Sequence, residues 1–145
     1  MSVPNVDHVI DAVLAALRKA TGKQWADGLA PGADTTAPDP DEPYGYVELI
    51  AGGGALDGDV GQPSSMVQAV IQLTAVAPTR KGATWLAARG FETMLLMGPN
   101  GYSVPIVPAP PTVIISRRHD STGGVLREGP LFNAPQRYVL TCTAE

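Results

Sequence analysis

His119, Asp120 and Ser121 follow one another in this chain, and they are the residue types of a hydrolytic relay. A relay needs nucleophile, base and orienting acid to converge from different directions, whereas neighbours on an extended segment point to alternate sides. The sequence therefore presents them as part of a polar arm, with an enzyme using His119 and an acid from the 57–59 loop kept as an alternative. Gly52-Gly53-Gly54 invites comparison with a phosphate loop. It fails on residue grounds: no Lys-Ser or Lys-Thr pair follows, the six-residue dinucleotide pattern is not met, and the nearest charges, Asp57 and Asp59, are acidic. The same two acids could ligate calcium, but the ligand series of a dedicated loop is missing. Cys142 is the single cysteine, so it can form no internal disulfide and is too little for a zinc site. Its place in an alternating run marks it as a small buried hydrophobe. The expectation is no catalytic residue, no metal and no cofactor.

Charge is unevenly distributed along the chain. Residues 1–79 hold three basic residues against ten acidic, and residues 80–145 hold seven basic against four acidic. Seven acids lie between Asp34 and Asp59 with no base among them. Such a field repels a nucleic-acid backbone. Arg117, Arg118 and Arg127 lack interleaved aromatics, so they fit pairing with a neighbour's acids better than nucleic-acid binding.

These residues must be positioned by a single domain covering 1–145, a length that buries a sufficient core without staples. No run approaches the ~18 apolar residues needed to cross a bilayer, and Asp7 and Asp11 within an amphipathic start are wrong for a secretory signal. Val6, Val9, Ile10, Val13, Leu14 and Leu17 recur at helical spacing, which predicts a helix over 6–20. Asn5 is its N-cap, Gly22 its stop, and His8 falls on its polar back. Residues 30–43 carry Pro31, Pro38, Pro40 and Pro43 without any period, a loop long enough to call for a neighbouring subunit to order it. A short strand over 44–50 leads into a loop over 52–65. The alternation of Val67, Ala69, Ile71, Leu73 and Ala75 against Gln68, Gln72 and Thr74 then predicts a strand over Met66–Ala77.

Thr79 caps a second helix running to about residue 97, whose core stripe is Ala83, Leu86, Ala87, Gly90, Met94 and Met97. Gly90 in mid-helix implies close approach to the sheet. Trp85, Ala88 and Leu96 fall opposite that stripe, so Trp85 and Leu96 lie under the chain's own proline loop, meet another subunit, or are simply exposed. Residues 104–111 form a stiff, proline-rich connector. A strand over 113–118 follows, then a long hairpin arm over 119–135 bending at Gly123-Gly124, and a last strand over 137–143. The fold expected is α+β: an antiparallel or mixed sheet of about four strands with two helices on one face, in the order α-β-β-α-β-β, with long loops.

Laid in this order, the chain resembles the tail terminator proteins of long-tailed bacteriophages, the siphovirus type found in actinobacterial phages. The resemblance is carried by the 6–17 helix, the 44–50 strand leading into the 52–65 loop, the 67–76 strand with Thr79 and Trp85-Leu86-Ala87, and the closing Arg137-Tyr138-Val139-Leu140. Together these span most of the chain, and Val70 to Ala87 is the most distinctive piece. The loop 30–43 and the connector 104–111 are longer than a minimal member needs.

The resemblance implies a non-enzymatic virion protein of the tail and neck, assembled in the host cytoplasm. It implies a hexameric ring of identical subunits that caps the tail tube protein, stops its polymerisation and provides the joint to the head–neck connector protein. DNA would pass through the lumen without specific binding, and no membrane is involved. A different neck or head-closure subunit is the related alternative. Opposite charge in the two halves suits head-to-tail contacts between copies. The candidate interface residues are Trp85, Leu96, Arg117, Arg118, Arg127, Asp57 and Asp59.

Overall fold

The structure, a computed structural model, describes residues 4–28, 42–55 and 66–144, the side chains of 51–55 excepted. Asp57 and Asp59, and the proline-rich loop as far as residue 41, lie outside the described residues.

The first helix, α1 (Val6–Thr21), forms where the apolar stripe predicts it. Asn5 caps it by accepting from the Asp7 N–H at 2.9 Å. Gly22 ends it in the left-handed region at φ 70° and donates to the Arg18 carbonyl at 3.0 Å. The buried residues are Val9, Ile10, Val13, Leu14 and Leu17. His8 departs from the expectation of a solvated side chain. It is half-buried, and its Nδ1 has no hydrogen-bond partner among the described residues. This end of the helix is tied to the sheet, since the Asn5 N–H donates to Thr112 Oγ1 at 2.8 Å.

A short strand absent from the expected order follows, β1 (Trp25–Asp27), running parallel to β2 (Tyr44–Ala55). Arg18 holds it in place by donating from Nε and an Nη to the Trp25 carbonyl at 3.0 and 2.8 Å. Three residues are too few to show a period, so only the tertiary bonds define this strand. β2 also runs further than 44–50: it continues through Gly52-Gly53-Gly54 to Ala55, with register shifts between Leu49 and Ala51 and between Ala51 and Gly54. Glycines inside a strand mark such irregularities, so the triplet is bulged strand where a loop was expected.

The third strand, β3 (Met66–Ala77), has the expected bounds, and its odd-numbered residues from Val67 to Ala77 are buried. The second helix, α2 (Arg80–Leu95), is capped by Thr79, whose hydroxyl accepts from the Gly82 N–H at 3.0 Å. It ends before Met97, which is 62% exposed in β4 (Met97–Gly98) instead of completing the core stripe. β4 and β5 (Gly101–Tyr102) make a separate two-stranded sheet. The expected close approach at Gly90 is moderate. A Cβ there would meet Leu73 Cδ2 at 3.5 Å and the Trp25 ring at 3.7 Å, ordinary van der Waals distances.

The C-terminal third differs most from expectation. β6 (Thr112–Thr122) stays paired with β8 (Leu131–Ala144) over its whole length, and β7 (Leu126–Glu128) pairs with the start of β8. The hairpin therefore turns at Gly129-Pro130, with Gly129 at φ 60°, and not at Gly123-Gly124. Gly123 instead fastens the end of β6 to β8. Its N–H donates to the Pro135 carbonyl at 3.0 Å, and a Cβ there would stand 2.7 Å from the Pro135 ring.

The main sheet has six strands in the order β1-β2-β3-β8-β6, with β7 on β8, where about four were expected from patterning. Parallel β1 makes it mixed. α1 and α2 share one core cluster with Val67, Ile71 and Leu73 of β3 and Tyr138, Leu140 and Cys142 of β8, so both helices cover the same face. The α+β class and the one-sided helical layer therefore hold, while the strand count and order are richer. Among the described residues no helix is long and apolar enough to cross a membrane.

Candidate functional site

The arginines and apolar residues singled out by the sequence occupy unlike environments. Arg117 points inward from β6. It donates to the Met94 carbonyl at 3.1 Å and the Val104 carbonyl at 2.9 Å, and its guanidinium carbon lies 4.1 Å from the Tyr102 ring centroid. The Tyr102 hydroxyl in turn donates to the Arg117 carbonyl at 3.0 Å. Burial lowers the guanidinium pKa, and Tyr102 partly opposes that. Arg117 thus fastens the end of α2 and the following connector to the sheet. Arg118, next along the strand, is exposed and pairs across to Val139. Arg127 is exposed on β7, donates from Nε to the Gly129 carbonyl at 3.3 Å, and lies 5.8 Å from the Phe132 ring centroid.

Trp85 is 46% exposed, with Lys23 Nζ 6.0 Å from its ring centroid. Leu96 is 53% exposed, beside Met97. Trp85 and Leu96 stand near opposite ends of α2, so they do not form one patch. Asp57 and Asp59 lie outside the described residues, and Arg117 and Arg118 are neighbours only because they follow one another on β6.

His119 does not join Asp120 and Ser121 in a relay. Its Nε2 lies 2.7 Å from Thr122 Oγ1, and its ring packs edge-on between Phe91 and Tyr138, each at 5.6 Å between centroids. A register shift between His119 and Ser121 leaves Asp120 exposed at a bulge. The imidazole acts as a wedge joining α2 to β8. Beneath it the Tyr138 hydroxyl donates to Gln136 Oε1, and Gln136 Nε2 donates to the Ala87 carbonyl at 3.1 Å. Burial raises the pKa of Tyr138. Among the described residues no group of three or more His, Cys, Asp or Glu side chains stands close enough to hold a metal ion.

The feature that patterning missed is a groove of about 370 Å³ beside this wedge. One wall is Thr84, Ala87, Ala88 and Phe91 of α2, and the other is the end of β6 with Val125 and Pro135. Phe91 is 43% exposed and Val125 37%. Beyond it, every residue from 121 to 130 is exposed, including Leu126 at 60%. The lining is chiefly apolar and open to solvent, which suits contact with another apolar surface. One signal for it was present in the sequence: Val125-Leu126, a greasy pair held between Gly123-Gly124 and Gly129-Pro130 at the tip of an arm. Phe91 gave none, because it lies on the flank of α2 between core and back. Comparison with known protein families and with curated proteins gives no match to this chain.

Proposed function

We propose that this chain is a structural virion protein, the subunit of a ring that caps the tail tube of a long-tailed bacteriophage. In this reading the ring is hexameric, stops tube polymerisation, and joins the tail to the head–neck connector while DNA passes through its lumen. The observation that carries the reading is the open apolar surface along α2 and the C-terminal arm, with Phe91, Val125 and Leu126 exposed around a groove on a one-sided α+β scaffold. That surface needs a protein partner, and the sequence resemblance supplies the class of assembly. The uneven charge of the two halves supports head-to-tail contacts.

The test is to add the purified protein to polymerising tail tube protein and follow tube length by negative-stain microscopy. Tubes should stop growing and carry a ring at one end. Elongation that continues unchanged counts against the assignment. Binding to portal-side assemblies without binding to tube would move the protein to the neck or head closure.

A further inference from the structure

We infer that the groove between α2 and the C-terminal arm receives the arm of a second copy of this chain, with Leu126 as the inserted side chain. Val125 lies just ahead of β7, which opens at Leu126, and the two neighbours have unlike surroundings. Val125 lines the groove of its own subunit, whereas Leu126 does not and is 60% exposed. The arm thus presents a socket wall and, next to it, a knob. A knob that lies outside its own socket is free to enter the socket of a neighbour. Repetition of that contact is head-to-tail and closes when the rotation allows. The closed ring rests on the function proposed above; the knob-and-socket contact does not depend on it.

Size and charge agree. A groove of about 370 Å³ lies at the small end of ligand pockets and has room for a leucine side chain. Glu128 falls on the same side of β7 as Leu126, two residues away, exposed and with its carboxylate accepting from Asn133 Nδ2 of its own β8. At the Thr84 end of the groove α2 begins with Arg80 and Lys81 and has no acidic residue in its first turn. Neither base has an ion-pair partner among the described residues. A neighbour's Leu126 seated against Ala88 and Phe91 would bring its Glu128 toward that basic end. The arm is fit for insertion because its tip is a short hairpin, turned at Gly129-Pro130 and paired to β8 from Leu126 to Glu128.

The test uses the full chain carrying Leu126→Cys in one preparation and Ala88→Cys in another, oxidised briefly alone and after mixing. Cys142 is buried and does not interfere. The mixture should give a disulfide-linked dimer that neither variant gives alone, and the double variant should give a ladder of linked species. As a second measurement, Glu128→Lys should cause loss of assembly, and adding Arg80→Glu with Lys81→Glu should restore it. No link in the mixture overturns the contact. If the unmodified protein still forms rings in that case, the proposed function stands and another face joins the subunits; if it stays monomeric alone and with tube protein, both fall. Pairing of Leu126→Cys with itself as readily as in the mixture would mean an isologous contact and would also overturn the inference.

Discussion

Gly45 packs against the buried indole of Trp25, whose Nε1 donates to Thr21 Oγ1 at 3.0 Å. A methyl group at position 45 would overlap three ring carbons, and a ring only 3% exposed has little room to shift. Gly45→Ala should therefore destabilise the protein by about 1–3 kcal/mol in chemical denaturation, an overpacking cost. Cys142 gives a complementary prediction. Burial raises its thiol pKa from 9.0 to about 11. The unfolded chain then releases this proton first, so the thiol's contribution is intact below pH 9 and is lost as pH climbs through 11. Stability should fall across that interval by no more than about 1.4 kcal/mol per pH unit from this group. At pH 8 the folded protein should resist a thiol reagent that labels the unfolded chain rapidly. Rapid labelling of the native state would show that Cys142 is not enclosed.

At the scale of elements, α1, β3 and α2 were legible because each is long enough to repeat its period, and their caps Asn5, Gly22 and Thr79 were readable residue by residue. β1 and β7 were not, since three residues show no period and long-range bonds alone hold them. The groove was hidden for a related reason. Its walls are the flank of α2 and an arm distant in sequence, and no local pattern states that they face each other. Gly90 is where the structure revises a sequence argument, because a methyl group fits at ordinary contact distance. Gly90→Ala should raise stability by about 1 kcal/mol, the helix-propensity difference, and a loss on that scale would mean the helix sits closer to the sheet. Arg117 joins elements, holding the end of α2 and residue Val104 to β6. Arg117→Ala should cost about 2–4 kcal/mol, because charge-assisted bonds to carbonyls are lost and those carbonyls are left without their donor.

For the whole molecule, surface left open by the fold matters more than any single buried group. Trp85, Phe91 and Leu126 are each more than 40% exposed, on or next to one helix and one arm. Trp85→Ala should lower monomer stability by at most about 1 kcal/mol, since the indole is only half covered. If the residue lies between subunits, the same substitution should weaken assembly at protein concentrations where the unmodified chain associates. A mutant that fails to fold would place Trp85 in the core. The number of copies in the native particle is read from its mass and its image. Light scattering with negative-stain microscopy of the purified protein, alone and with tail tube protein, should show closed rings of several copies. A single-subunit mass with no rings in either condition would contradict the claim that these faces exist to meet one another.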